Sequence, residues 1–309
     1  MKPRLIVIAG PTASGKTAAA VALCKMIGGE VVSADSMQLY RGMDVLSARP
    51  TAGEMDGVLH HMLGVADPAQ KYSAARYRDE AKQIIADILA RGAQPVLCGG
   101  TGLYIDAVTR PMEFSERCDD ALRRELMALA EQPGGRRRLH EMLREIDPEA
   151  AERLHENDVR RVSRAIEVFR LTGRTQSEQA RLDAMREGDY RETLFALNWP
   201  REELYRRIDL RVDGMLAAGL IDEVRALMRD ERSHPTAMQA IGYKEIAAAL
   251  EGHMPMEEAV ELVKKLSRNY AKKQVTWFKR DPRTVWIDAA GKDAAQVAGE
   301  MMRYLEGHP

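Results

Sequence analysis

Short β-branched runs, helical stretches and glycine-rich turns alternate along the first hundred residues. Leu5 to Ala9 is a compact apolar run that predicts a strand. The loop GPTASGKT follows, then AAAVALCKMI with helical character, stopped by Gly28 and Gly29, and then a second strand from Glu30 to Ala34. A helical stretch from about Ala74 to Ala90 leads to a third apolar run, Gln94 to Cys98, which ends in Gly99 and Gly100. Strands that alternate with helices in this way predict a parallel α/β sheet. Thr193 to Trp199 and Thr284 to Asp288 are candidates for further strands.

From about Glu113 to Gly188 the pattern changes to arginine- and glutamate-rich helical sequence with almost no β-branched runs. The expected organisation is an α/β core interrupted by a mostly helical insertion, with residues 1–112 and 189–309 forming the core and 113–188 the insertion. After Trp199 and Pro200 the chain is helical again, through MLAAGLIDEVRALM and a long segment from Glu257 to Arg280. No repeat, low-complexity tract or disordered linker is evident, so the insertion is expected on short hinges. The 17 methionines are scattered and read as core filler.

A length of 309 residues suits a core domain plus a second unit, and 45% hydrophobic residues can build a real core. With 46 Lys+Arg against 47 Asp+Glu, the net charge of -1 leaves any nucleic-acid affinity to local clustering. Cys24, Cys98 and Cys118 are an odd number without CxxC spacing, which argues against a disulfide scaffold or zinc module and for a reducing compartment. The start, MKPRLIVIAG, superficially resembles a signal peptide, but its apolar run is too short and leads into a glycine loop. No run approaches membrane-spanning length, so a soluble, cytoplasmic monomer with no membrane partner is expected.

Gly10-Pro11-Thr12-Ala13-Ser14-Gly15-Lys16-Thr17 fits G-x-x-x-x-G-K-[ST] in full and lies between a predicted strand and a predicted helix. Backbone N–H groups there would wrap a diphosphate, Lys16 would neutralise it, and the Thr17 hydroxyl would hold Mg²⁺. The alternative, a chance match in an ordinary strand-to-helix turn, is opposed by the flanking elements. Nucleotide-hydrolysing proteins with such loops usually carry a metal-holding Asp at the end of another core strand. Here the strand Gln94 to Cys98 ends in Gly-Gly-Thr instead, which weakens an ATPase or GTPase reading. The acid is Asp35, at the carboxyl end of the second strand, where open α/β proteins bind ligands. It could take a proton from a nucleophile or simply cap the next helix, and the residues alone leave both open.

Two basic helices stand out. From Asp158 to Arg170, Val159, Val162, Ile166 and Phe169 share one face, with Arg160, Arg161 and Arg164 opposite. From Lys264 to Arg280 there are seven basic residues and no acidic ones. Lys265, Arg268, Lys272 and Lys279 share one arc, and Val263, Leu266, Tyr270 and Trp277 the opposite one. The first helix alone reads as a solvated face. The second carries one sign only and would repel itself, which favours a polyanionic partner.

In order, GPTASGKT, DSMQLYRGMDV, YSAARYR, GGTGLY, NDVRRVSRAIEV, a Met-Leu-x-x-Gly-Leu-x-x-Glu-Val helix, QAIGYKE and NYAKKQVTWFKR resemble the bacterial tRNA dimethylallyltransferases across nearly the whole chain. That family has a P-loop NTPase-like α/β core with a helical insertion. It moves the dimethylallyl group of dimethylallyl diphosphate onto N6 of adenosine 37, next to the anticodon of certain tRNAs. The resemblance implies that Gly10 to Thr17 holds the donor diphosphate, although loops of this pattern are usually taken to bind ATP. It makes Asp35 the general base, with Thr12 beside the reacting groups and Arg211, in RIDLRVDGML, on the diphosphate. It also assigns tRNA contacts to Asp35, Ser36, Met37 and Gln38, to Arg160, Arg161, Val162, Ser163 and Arg164, and to Gln239, Ala240, Ile241, Gly242, Tyr243 and Lys244. Thr101 and Arg123 match isolated contact points. Lys265, Arg268 and Lys272 join this set through the charge argument above. The partners so implied are the tRNA anticodon stem-loop and dimethylallyl diphosphate, with Mg²⁺ as cofactor.

Three rival readings share part of this pattern. A P-loop small-molecule kinase explains the loop and a few lid arginines but not the basic helix. A non-catalytic RNA-binding protein leaves Lys16, Thr17 and Asp35 without purpose. An isopentenyltransferase acting on free adenine nucleotides shares the donor chemistry but has little use for the basic helix.

Overall fold

The computed structural model describes residues 2–114, 119–230, 232, 234 and 236–308. It divides into two compact units, one of Met1–Thr109 with Tyr190–Pro309 and the other of Arg110–Asp189.

The first unit is built on six parallel strands, β1 (Arg4–Ala9), β2 (Gly29–Ser33), β3 (His60–His61), β4 (Gln94–Gly99), β5 (Arg191–Asn198) and β6 (Thr284–Asp288), in the order β3-β2-β4-β1-β5-β6. The central strands read as unbroken apolar runs because a parallel sheet is covered on both faces. In β1, Leu5, Val7 and Ala9 enter one core while Ile6 and Ile8 enter the other. Helices α1 (Lys16–Ile27) and α14 (Ala294–Gly307) contribute to the second core. The first core takes side chains from α3 (Ala74–Ala90), α4 (Gly102–Thr109), α11 (Leu220–Arg229) and α12 (Tyr243–Leu250). The short α2 (Ala52–Met55), the long α10 (Arg201–Ala217) and α13 (Met256–Lys279) complete this unit.

Strand β3 escapes a reading by periodicity because it has two residues, both histidine. It is fastened to its neighbour by chemistry rather than by apolar burial. The buried Glu30 carboxylate meets His61 Nε2 at 2.7 Å and is also gripped by Arg91. The stretch MLAAGLIDEVRALM is not one helix, since α10 ends at Ala217 and α11 begins at Leu220 after Gly219, whose φ is 97°. Cys24 and Cys98 are free and buried, and burial pushes both thiols up to about 12. Cys118 lies outside the described residues.

The second unit is helical throughout its regular structure, with α5 (Asp120–Glu131), α6 (Gly135–Ile146), α7 (Pro148–Arg153), α8 (Val159–Thr172) and α9 (Gln176–Ala184). Its own small core joins Leu126, Leu139, Leu143, Val162 and Ile166. Among the described residues, no helix is long and apolar enough to cross a membrane.

Candidate active site

Because the strands are parallel, the loops that follow β1, β2 and β4 leave from one edge of the sheet, where Ala9 is in register with Gly99 and Ser33 with Cys98. After β1 the chain forms a tight loop in which Ala13 and Gly15 have φ of 62° and 84°, and α1 starts at Lys16. Carbonyls on the outside of this loop are engaged. Arg207 Nε donates to Ala13 O at 2.9 Å and Trp199 Nε1 to Ser14 O at 2.9 Å, with the Arg207 guanidinium 4.2 Å from the Trp199 ring centre. Ser14 Oγ is buried without a hydrogen-bond partner among the described residues, a donor suited to an anion's oxygen.

A cavity of about 280 Å³ opens beside the loop. One side carries Thr12, Lys16, Thr17 and Arg211, and the turn after β2 supplies Asp35, Ser36, Met37 and Gln38. An apolar wall comes from Leu46 and Val263 together with Ile208, Val212 and Met215, which recur at helical spacing on the same face of α10 as Arg211. Burial lowers the pKa of Lys16, and the nearby Arg211 lowers it further, while Asp35 works in the opposite direction. Arg211 is likewise lowered by burial and opposed by Asp35. Two cations facing one carboxylate leave this pocket electropositive, and an anion between them would relieve their repulsion.

Asp35 is fixed by its own turn. Its Oδ1 accepts the Met37 N–H at 3.0 Å, so the capping role that the sequence leaves open is real, though it is a turn rather than a helix that is capped. The Ser36 N–H donates to Thr101 Oγ1 at 3.0 Å, and Gln38 Oε1 accepts the Ser33 hydroxyl at 2.9 Å. The glycines after β4 serve close approach. A Cβ on Gly99 would lie 2.2 Å from Ala34 O, and one on Gly100 would lie 2.2 Å from Gln274 Nε2.

The whole chain resembles known proteins. The family model described as IPP transferase matches residues 38–281, and one described as isopentenyl transferase matches residues 3–67. The chain belongs to the IPP transferase family. A tRNA dimethylallyltransferase of Halalkalibacterium halodurans is 43% identical over 99% of this chain and 98% of that protein. One from Geobacter metallireducens is 46% identical over 94% of each. The crystal structure of the tRNA isopentenylpyrophosphate transferase from Bacillus halodurans superposes with a TM-score of 0.74 at 41% identity, covering 99% of this chain and 96% of that one. A eukaryotic dimethylallyltransferase acting on tRNA gives a TM-score of 0.81 at 27% identity, covering 99% of this chain and 80% of that one. The core is therefore the P-loop NTPase-like α/β fold of an IPP transferase, and the kinase alternative is not favoured.

Of the residues expected at the site of this IPP transferase, the cavity gathers Thr12, Lys16, Thr17, Asp35 to Gln38, Arg211, Gln239, Ala240 and Ile241. Gly10, Pro11, Ala13, Ser14 and Gly15 form the loop behind them, and Thr101 joins through Ser36. Gly242 and Tyr243 are buried, whereas Lys244 is exposed.

The helical unit departs from expectation. Val162 and Ser163 are buried, so their side chains offer nothing to a partner. Arg123 and Arg164 pair with the buried carboxylate of Glu167 at 3.0 and 2.8 Å, and the Asp119 N–H donates to it as well. Arg160 and Arg161 are exposed.

Helix α13 needs a larger correction. Two of its basic residues meet acids on α10: Arg268 of the basic arc pairs with Asp209, and the neighbouring Lys264 with Asp213 at 2.8 Å. Lys265 and Lys272 are exposed. Tyr270 and Trp277, grouped with the apolar arc by periodicity, are more than a third exposed. Tyr270 lines the cavity, and Trp277 Nε1 donates to Asp106 at 3.2 Å. Ser267, Tyr270 and Gln274 were missed as site residues. Their spacing of three and four places them on one helical face, a signal that the more numerous lysines and arginines obscure.

Proposed function

We propose that this IPP transferase moves the dimethylallyl group of dimethylallyl diphosphate onto N6 of adenosine 37 in tRNA and releases diphosphate. The observation that carries this reading is the single cavity in which the loop residues Thr12, Lys16 and Thr17 face Asp35 and Arg211. The phosphate loop and the two cations suit a diphosphate, the apolar wall of α10 suits a five-carbon hydrocarbon, and Asp35 supplies a base.

An exocyclic adenine amine is a weak nucleophile because its lone pair is delocalised into the ring. Asp35, held by the Met37 N–H through one oxygen, takes the amine proton with the other as the C–N bond forms. The allylic carbon spreads positive charge as its bond to oxygen breaks, and Lys16 and Arg211 stabilise the charge on the departing diphosphate. The hydrocarbon wall keeps water from the reactive carbon. A stacked base cannot reach the cavity, so the adenine is flipped out of the anticodon loop.

Mg²⁺ fits the donor set, since the Thr17 hydroxyl, which lines the cavity, and phosphate oxygens are hard ligands. Bound there, it would add positive charge at the diphosphate. Asp35 to Gln38 and Gln239 to Ile241 would touch the nucleotide, Lys244, Lys265 and Lys272 the RNA backbone, and Arg160 and Arg161 of the helical unit would contact the stem-loop.

The test is mass spectrometry of tRNA incubated with the protein, Mg²⁺ and dimethylallyl diphosphate. A mass gain of one dimethylallyl group at adenosine 37 is expected. Steady ATP hydrolysis with no prenylated tRNA would overturn the reading.

A further inference from the structure

Gln274 lies in the last two turns of α13, 5% exposed, and uses both ends of its amide. Oε1 accepts the Thr12 N–H at 2.9 Å, and Nε2 donates to Gly100 O at 2.9 Å. It thereby bridges the loops that leave two adjacent strands, β1 and β4. The fit is close, since any Cβ on Gly100 would collide with the amide nitrogen. Gly100 is followed directly by Thr101. Thr101 Oγ1 in turn accepts the Ser36 N–H, and the next N–H, that of Met37, holds Asp35. These hydrogen bonds, joined by the Gly100–Thr101 peptide, thus connect the phosphate loop with the turn that carries the base.

We infer that Gln274 is a positioning residue for prenyl transfer, its amide setting the donor-binding loop at Thr12 against the loop after β4 at Gly100, whose next residue, Thr101, holds the turn of Asp35. The inference rests on the transferase reading above. Thr12 directs its N–H at Gln274 rather than at a bound phosphate, so the contribution is to geometry and not to donor affinity. Reacting atoms in such a site must be aligned within a few tenths of an ångström, and a shift of about 1 Å costs about a hundred-fold in rate. Loss of the bridge should therefore appear in the chemical step while both substrates still bind.

Gln274→Met keeps the length and volume of the side chain and removes both hydrogen bonds. Single-turnover prenyl transfer should fall about ten- to a hundred-fold relative to wild type. Calorimetric binding of inorganic diphosphate and filter binding of tRNA should stay within about three-fold, roughly 0.7 kcal/mol. A residue needed only for folding would instead lower the melting temperature and the active fraction, leaving the rate per folded molecule unchanged. Gln274→Glu is the second variant. Ionised, it sets an oxygen against Gly100 O; protonated, it regains a donor and an acceptor, so its rate relative to wild type should rise as pH falls from 8 to 6. Folded Gln274→Met at wild-type rate, a parallel loss of binding and rate, or a flat pH ratio for Gln274→Glu would each overturn the inference. If wild type itself forms no adduct, the transferase reading fails first.

Discussion

Arg268 on α13 is ion-paired with Asp209 on α10, so a residue that the sequence sets among RNA contacts already has its counter-charge within the protein. The pairing separates the basic residues of α13 into two groups. Lys264 and Arg268 meet Asp213 and Asp209, whereas Lys265 and Lys272 stand exposed.

Replacing Lys265 and Lys272 by Ala should reduce the log–log salt slope of tRNA binding by about 0.7 to 0.9 per lost phosphate contact, close to 1.5 in all. Arg268→Ala should change the slope by much less, since it also unmasks Asp209. Because phosphate contacts carry no sequence information, every tRNA should weaken alike. Affinities of the variants at several salt concentrations decide this, and equal slopes for wild type and the double mutant would remove α13 from the RNA-binding surface.

Asp35 both faces the cavity and accepts the Met37 N–H. Asparagine preserves that acceptor and removes the base. Asp35→Asn should lower the single-turnover rate by roughly two to four orders of magnitude, with tRNA affinity much less affected. A near-normal rate would leave Asp35 as a turn cap and send the search for the base elsewhere.

Burial lowers the proton affinity of both Lys16 and Arg211, Arg211 lowers that of Lys16 further, and a bound diphosphate would offset these costs. Lys16→Ala should weaken diphosphate binding, and Arg211→Ala should depress turnover. Calorimetric titration with dimethylallyl diphosphate and with ATP, followed by rates on tRNA, separates the two effects. ATP bound more tightly than dimethylallyl diphosphate would count against a donor pocket.

At the far edge of the sheet, hydrogen bonds from Arg91 and His61 hold the Glu30 carboxyl down at about 2, against an ordinary value of 4.5. A depressed carboxylate stabilises the fold fully above its unfolded pKa and loses that contribution as pH falls toward its folded one. Glu30→Gln should cost about 1 to 3 kcal/mol at pH 7 and progressively less below pH 4. Urea denaturation of both proteins at pH 7 and pH 3 is the check. A difference that does not shrink at pH 3 would rule out the ionised carboxylate as its cause.

In the helical unit, Arg123 and Arg164 hold the buried Glu167, and Arg161 is exposed. Removing one partner of a buried carboxylate leaves charge uncompensated, so Arg123→Ala should lower stability by about 1 to 3 kcal/mol. Arg161→Ala should leave stability within about 0.5 kcal/mol. Thermal melts of the two variants distinguish a fold-holding arginine from one available to a partner.

The sequence by itself determined the elements whose signals are local. The apolar runs of β1, β2 and β4 are legible because a strand covered on both faces admits little else, and the phosphate loop because its glycines and lysine occur at fixed offsets between a strand and a helix. Asp35 was legible as a candidate from its place at a strand end. Tertiary structure decided which charges remain available. Asp209 and Asp213 lie more than fifty residues from the basic residues they meet, and no pattern within α13 could reveal them. It also decided the face of α13. Periodicity separates polar from apolar arcs, but only packing shows that Gln274 reaches between Thr12 and Gly100 while Tyr270 lines the cavity. Hydrogen bonds between residues 174 and 262 positions apart depend on the assembled sheet, which sets β1 beside β4 and so leaves a gap that one amide can span.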